Sequence, residues 1–123
     1  MKINFDASRP IYEQIIDQIK KMLVRGEMSP GDKLLSQREM ARNIEVNPNT
    51  IQRAYREMEM LGLVETKRGR GTFIKEDEEM VNDIKKEMAK NAASKFIAEM
   101  QSLGYTKEEI LKWVEKESGK VEV

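Results

Sequence analysis

The sequence contains neither cysteine nor histidine among its 123 residues. Without cysteine, the chain has no disulfide, no thiolate metal site and no thiol nucleophile. Without histidine, most zinc sites, Ser-His-Asp triads and histidine acid–base pairs are excluded as well. Carboxylates are present, but they lie among the surface charges of predicted helices. We therefore expect a protein that is not an enzyme and that has no metal site and no cofactor.

Long hydrophobic runs are also missing. No segment is long and apolar enough to cross a bilayer, and the first ten residues lack the apolar core of a signal peptide. Apolar residues make up 39% of the chain and charged residues 36%, a balance that is typical of a globular, helix-rich protein. We expect a cytoplasmic protein without a membrane partner.

The net charge is zero, but the charges are distributed unevenly. Residues 1–75 carry 14 Lys/Arg against 10 Asp/Glu, whereas residues 76–123 carry 8 against 12. A basic front part and an acidic rear part favour an anionic partner for the front part. Ordinary scatter of surface charge is the alternative.

The first apolar repeat lies in residues 8–28 and predicts a helix with one apolar face. Pro10 suits the first helical position, with Ser8 ahead of it, and Gly26 suits the end. Residues 2–5 suggest a short strand before this helix.

Two short helices follow, and each begins with a capping signal. Ser36 and Glu39 have the spacing of a capping box at the start of one helix. Asn47 suits the cap of the next helix, with Pro48 at its first helical position. Its predicted inner face consists of Ile51, Ala54, Tyr55, Met58 and Leu61. Two short helices joined by a tight turn are typical of a helix-turn-helix.

Residues 63–74 are typical of a β-hairpin. Apolar residues lie at both ends of the segment, and its middle consists of Lys67, Arg68, Gly69, Arg70 and Gly71. A helix-turn-helix followed at once by a basic hairpin is typical of a winged helix. We therefore predict a mainly α fold with a small β-hairpin wing and a C-terminal two-helix tail.

The outward face of the helix after Pro48 carries hydrogen-bonding side chains. Asparagine and glutamine can bond adenine, arginine can bond guanine, and a threonine methyl can touch thymine. We predict that Asn49, Gln52 and Arg53 discriminate bases in the major groove, flanked by Thr50 and Arg56. Each residue alone also fits a solvated surface position.

Phosphate contacts are predicted at the start of the preceding helix, where Arg38 is the best ligand, and at the basic hairpin. First-turn amides around Thr50 are expected to be free for phosphate, whereas Asn47 mainly caps its helix. The predicted DNA-binding residues are Ser36, Gln37, Arg38, Asn47, Asn49, Thr50, Gln52, Arg53, Arg56, Lys67, Arg68, Arg70 and Gly71. The alternative is a winged-helix module that binds another protein.

Acidic residues at 76–79 mark the predicted boundary between a DNA-binding domain, residues 1–75, and a helical tail, residues 76–123. The tail predicts a long helix that ends at Gly104 and a short helix that begins at a capping box of Thr106 and Glu109. Two such helices cannot enclose a core alone. Their apolar sides must pack on the front domain, on each other or on a second copy.

Residues 34–74 resemble the GntR family of bacterial transcription regulators. The family pattern combines a Ser-x-Arg-x-hydrophobic-Ala start, a Glu-x-x-Gly-hydrophobic exit from the recognition helix and a Gly-x-Gly-Thr-hydrophobic wing. Here the motif residues are Ser36, Arg38, Met40, Ala41, Glu59, Gly62, Leu63, Gly69, Gly71, Thr72 and Phe73. Leu35 stands where the family often has proline. Pro48 stands where it often has a basic residue, so the DNA contact of that residue cannot be carried over.

Residues 46–59 are similar to the YtrA subfamily, whose rear part is also short and helical. The resemblance implies a homodimer that binds double-stranded DNA at a palindromic operator, represses transport-related genes and is associated with the bacterial nucleoid. The tail is too short for the effector domain of larger relatives, and an unidentified small-molecule effector stays an open question. From the apolar sides of the two tail helices, the predicted dimerisation residues are Ile84, Met88, Ala92, Phe96, Met100, Ile110, Trp113 and Val114.

Overall fold

The structure is a computed structural model that describes residues 1–120. Its elements are, in order, α1 (Ile11–Val24), α2 (Gln37–Ile44), α3 (Pro48–Met60), β1 (Val64–Lys67), β2 (Gly71–Ile74), α4 (Glu78–Ser102) and α5 (Lys107–Ser118). The predicted fold class, mainly α with a two-stranded wing, is confirmed.

The chain divides into two compact units, Met1–Ile84 and Lys85–Val123. This division falls inside α4, whereas the predicted domains meet at residue 75, just before that helix. The assignment of residues 1–75 to DNA binding and residues 76–123 to dimerisation stays a prediction.

Helix α1 buries the apolar face that its periodicity predicts, but it begins one residue later than expected. Pro10 has an extended ψ of 135° and is the N-cap, not the first helical residue. Ser8 does not cap the helix, because its amide and hydroxyl both donate to the Asp6 carboxylate. The buried side chain of Gln14 holds this entry, since its Nε2 donates to the carbonyls of Asp6 and Arg9.

The strand suggested for residues 2–5 is wrong. A strand requires a neighbour to pair its backbone, and none pairs with this segment in the part of the chain that the structure describes. Instead Ile3 and Phe5 are partly buried against the core. The N-terminal ammonium group donates to Asn43 Oδ1 at 2.9 Å.

The two capping signals of the helix-turn-helix are confirmed. Ser36 and Glu39 form both bonds of the capping box, and the Asn47 side chain caps α3 ahead of Pro48. Between the helices, Glu45 takes the left-handed conformation with φ 54°. For a residue with a Cβ atom this conformation is strained.

Leu61 does not belong to the inner face of α3, contrary to the prediction. The helix ends at Met60, and Leu61 is 61% exposed as its C-cap. The chain then turns at Gly62, whose φ is 75°, and this turn places Leu63 in the core.

Strands β1 and β2 pair antiparallel, with Val64 opposite Ile74 and Lys67 opposite Gly71. The tip of the hairpin is therefore shorter than predicted, because Lys67 and Gly71 belong to the strands. A third extended segment, which the sequence analysis missed, pairs with the other edge of β2. The Leu34 amide donates to the Thr72 carbonyl at 2.9 Å, and residue 33 bridges Phe73. This pairing satisfies backbone groups that an isolated hairpin would leave open.

One core holds the first unit together. It is formed by apolar residues of α1, α2, α3, the hairpin and Leu34. The largest fully buried side chains are Ile15, Ile19, Ile51, Met58 and Ile74. Because α3 contacts α1, α2 and β1, its orientation is fixed on three sides.

The second unit has little buried apolar surface. Its capping box at Thr106 and Glu109 is confirmed, and Ile110 is its buried residue within the described range. Large apolar side chains that stay exposed are Phe96, Ile97, Leu103, Leu111, Trp113 and Val114. No helix within residues 1–120 is long and apolar enough to cross a membrane.

The left-handed Glu45 predicts a stabilising substitution. Glu45→Gly removes the Cβ strain, and we expect the free energy of unfolding to rise by about 0.5–1 kcal/mol after the added entropy of the unfolded chain is subtracted. Glu45→Ala is the matched control, because it removes the carboxylate but keeps the Cβ atom. Chemical denaturation measures both variants. Equal stability of the two would show that the conformation at residue 45 is not the cause.

Candidate nucleic-acid interface

The outward face of α3 is a row of polar side chains. Asn49, Gln52, Arg53 and Arg56 are exposed, and Thr50 is half-buried beside them. The opposite face is buried and consists of Ile51, Ala54, Tyr55 and Met58. The structure therefore brings all five residues of the predicted reading surface to one side of the helix.

The first turn of α3 uses its own backbone donors. Asn47 Oδ1 accepts from the Asn49 amide at 2.8 Å, and the Asn47 carbonyl accepts from the Thr50 amide at 3.0 Å. The expectation that the Thr50 amide is free for phosphate is therefore wrong. The Asn47 oxygen is committed to the cap, while the two hydrogens of its side-chain amide remain available as donors.

The start of α2 presents free donors instead. Ser36, Gln37 and Arg38 are all exposed. Ser36 forms the capping box, but the Gln37 and Arg38 amides have no acceptor among residues 1–120, as is usual in a first turn. Such amides attract anions. Hydrogen bonds to the Ser36 side chain and backbone lower the pKa of Glu39, so a carboxylate lies beside these donors.

A surface groove of about 480 Å³ separates the start of α2 from the start of α3. Its lining consists of Gln37, Arg38, Ala41, Arg42, Val46 and Pro48. Two arginines thus line the same groove as Pro48, which itself has no charge. The basic character that the tip of α3 lacks is supplied by the neighbouring helix.

One partly buried hydrogen bond ties the middle of α3 to the segment just before α2. The Tyr55 hydroxyl donates to the Leu35 carbonyl at 2.6 Å, and Leu35 directly precedes the N-cap of α2. Burial raises the pKa of Tyr55 far above its ordinary value of about 10. The apolar periodicity of α3 predicts a buried Tyr55 but does not identify this partner, although a buried tyrosine hydroxyl usually requires one.

The wing presents its basic residues around Phe73. Lys67 Nζ lies 4.9 Å and Arg70 Cζ lies 5.9 Å from the centroid of that ring, while Arg68 is exposed at the tip. These cation–π contacts hold two cations at the hairpin without neutralising them.

Gly71 has a structural reason for being glycine. Its φ is 121°, and a Cβ atom there would lie 2.8 Å from Cε of Lys33. Lys33, which the sequence analysis did not include, is exposed and joins the basic residues of the wing. No sequence signal pointed to it, because its place beside the wing depends on the pairing of residue 33 with Phe73.

Arg53 has a partner that the sequence analysis also missed. Its Cζ lies 4.0 Å from the ring centroid of Tyr12 on α1. The two residues are 41 positions apart in the chain. Only the packing of α1 against α3 brings them together.

The predicted dimerisation residues differ in exposure. Ala92, Phe96, Trp113 and Val114 are exposed, and Met88 and Met100 are half-buried. Ile110 is buried within its own unit, and Ile84 is partly buried against the core of the first unit. An apolar cavity of about 340 Å³ in the second unit is lined by Phe96, Met100, Leu103, Tyr105, Trp113, Val114 and Glu117.

Comparisons with known proteins agree with this geometry. The family model of bacterial regulatory proteins, gntR family, matches residues 11–74. The uncharacterized HTH-type transcriptional regulator YhcF of Bacillus subtilis is 54% identical, over 93% of this chain and 94% of YhcF. The HTH-type transcriptional repressor YtrA of the same organism is 41% identical, over 98% and 94%. A GntR family transcriptional regulator from Listeria monocytogenes superposes with a TM-score of 0.85 at 46% identity, over 91% and 98%.

The Tyr55 hydroxyl predicts a pH dependence of stability. The pKa of Tyr55 is higher in the folded state than in the unfolded state. The hydroxyl therefore contributes fully to the free energy of unfolding below the unfolded pKa of about 10, and this contribution is lost as the pH rises towards the folded pKa. We expect Tyr55→Phe to cost about 1 kcal/mol at neutral pH. We also expect the unfolding free energy of the Tyr55→Phe variant to fall less steeply above pH 10 than that of the native protein. Tyr105→Phe, on the second unit, is the control.

Proposed function

Because the chain belongs to the GntR family of bacterial regulatory proteins, we propose that it is a homodimeric repressor that binds a palindromic operator. Membership of this family makes the chain an HTH-type, DNA-binding transcriptional regulator. The prediction that it is not an enzyme is confirmed on the same ground. The residues that contact DNA, the dimer and the regulated genes belong to the proposal.

The exposed polar face of α3 is the observation that carries the assignment of base contacts. Its side chains lie over the N-terminal turns of the helix, the part that enters a major groove in helix-turn-helix proteins. In our proposal Asn49 and Gln52 contact adenine, and Arg53 contacts guanine. The face contains almost no apolar side chain, whereas protein-binding surfaces depend on buried aromatic and aliphatic anchors. This composition disfavours the alternative of a protein-interaction module.

In our proposal, phosphate attraction comes from α2 and from the wing. On α2 it comes from Arg38 and the free first-turn amides, and in the hairpin from the wing cations, including Arg68 and Arg70. Contacts with phosphate position a protein on DNA without reading its sequence. The neutral tip of α3 is then left for base edges.

The exposed apolar surface of the second unit supports a dimer. Phe96, Trp113 and Val114 are each between 37% and 43% exposed, although they are large and apolar. Contiguous apolar surface of this kind is usually covered by a partner. A palindrome with half-sites one DNA turn apart requires two recognition helices about 34 Å apart, related by two-fold symmetry, and a homodimer supplies two such helices.

When the protein is bound at its operator, it would block transcription of transport genes. The relative YtrA is named a repressor, and this chain matches it over nearly its whole length. We place the protein in the bacterial cytoplasm, at the nucleoid when bound to DNA. We propose the apolar cavity of the second unit as the site of a small-molecule effector, and because Phe96, Trp113 and Val114 line it, effector binding is expected to alter dimerisation.

Alanine variants separate base contacts from phosphate contacts. Asn49→Ala and Gln52→Ala should each cost about 1–3 kcal/mol at the operator and little on random DNA. Arg68→Ala should weaken binding to both DNAs. It should also reduce the slope of log affinity against log salt concentration by about one. Titrations with duplexes selected from a random library, at several salt concentrations, measure both effects.

The outcome that contradicts the base-reading assignment is an equal loss on both DNAs for Asn49→Ala. Glu57→Ala serves as the control, because Glu57 is a polar residue in the C-terminal half of α3 and is not among the predicted DNA-binding residues. It should leave the ratio of the two affinities unchanged.

A single substitution in α5 tests the dimer. Val114→Asp places a charge on the exposed apolar surface, and we expect dimer affinity to fall about tenfold or more, since removal of a central contact typically costs more than 1 kcal/mol. Sedimentation at micromolar concentration measures the change. Lys112→Glu is the control, because it changes the charge of the same helix by more but leaves the apolar surface intact. A native chain that sediments as a monomer would overturn the dimer.

A further inference from the structure

The side chain of Arg53 is held by an aromatic ring of another helix. Arg53 is exposed on α3, and its Cζ lies 4.0 Å from the centroid of the Tyr12 ring on α1. We propose that Tyr12 is a positioning residue, which holds the Arg53 guanidinium in a reading orientation and thereby helps to determine sequence specificity. This inference rests on the proposed role of Arg53 in base contact.

The contact leaves the hydrogen-bonding edge of the guanidinium free. A cation–π interaction uses the charge of the group close to the face of the ring. Bidentate recognition of guanine uses the N–H groups at the guanidinium edge. Arg53 forms no ion pair and donates no hydrogen bond within the described residues 1–120. Tyr12 therefore restrains Arg53 without competing for its donors.

Tyr12 is well placed to act as the fixed member of the pair. Its side chain is half-buried and packs against the core of the first unit. Its hydroxyl lies 3.4 Å from Glu13 Oε1. Arg53, by contrast, has a long side chain that loses rotamer freedom when it binds. A preformed contact lowers that entropic loss, because the guanidinium is already oriented before DNA arrives.

Arg56 provides an internal comparison. It is exposed on the same face of α3, but no aromatic ring or carboxylate is in contact with its guanidinium in the described part of the chain. Loss of Tyr12 should therefore affect the base contacted by Arg53 and leave any contact of Arg56 unchanged. A general disturbance of α3 would affect both.

The experiment selects preferred duplexes from a random-sequence library with the full chain and with its variants. Arg53→Ala and Arg56→Ala first identify the base position that each arginine reads. Tyr12→Leu keeps an apolar side chain but removes the π face. We expect it to relax preference at the Arg53 position alone and to weaken the selected duplex about two- to fivefold, with random DNA unchanged. Tyr12→Phe keeps the face and should stay within about twofold of the native chain.

A double variant gives a readout that a purely structural role would not produce. In an Arg53→Ala background, Tyr12→Leu should cause no further loss of preference, because the side chain that it positions is gone. Additive losses would overturn the inference. So would an equal loss for Tyr12→Phe and Tyr12→Leu, which would assign the effect to the hydroxyl, as in a direct phosphate contact.

Two results distinguish the failure of this inference from the failure of the proposed function. If Asn49→Ala and Arg53→Ala change base preference but Tyr12→Leu does not, only the positioning role is wrong. If none of these variants changes base preference, base reading by α3 itself is wrong. Chemical denaturation of each variant verifies that it is folded. Should Tyr12→Leu not fold, loss of preference in Tyr12→Phe would still contradict the positioning role.

Discussion

The burial of one face of α3 is the constraint on which the rest of the first unit depends. Ile51, Ala54 and Met58 are inaccessible to solvent, and they pack in the core that α1 and the hairpin share. Because the helix can bury only this face, the opposite side with Asn49 and Arg53 must point outward. The same burial creates the need for a partner at the Tyr55 hydroxyl, and that partner fixes the start of α2.

Charge and hydrogen bonding are divided among neighbouring elements. The first-turn donors of α3 are used within its own cap, and Pro48 carries no charge. The free amides and guanidinium groups lie on α2, and further cations surround Phe73 in the wing. A tip of this kind can approach base edges while its neighbours attract the phosphates. The carboxylate of Glu39 limits that attraction at one point, because it is also needed for the capping box.

The second unit has a different physical basis. The loop between α4 and α5 is well specified at both ends. Gly104, with φ 90°, ends the first helix, and the Thr106 capping box begins the second. Its helices nevertheless leave Leu103, Leu111 and other apolar side chains exposed. Local signals therefore define each helix, but they leave these apolar side chains uncovered. In our proposal, a second copy of the chain covers them.

Sequence alone determined the helices, the N-caps of α2, α3 and α5, the hairpin and the polar face of α3, because these depend on periodicity and on residues three or four positions apart. Helix ends were less certain, as Pro10 and Leu61 show, since each depends on where the neighbouring chain packs. Tertiary structure alone decided the contacts of Arg53 with Tyr12, of Tyr55 with Leu35 and of the Lys33 segment with β2. Each joins residues at least 20 positions apart, and only the shared core brings such residues together.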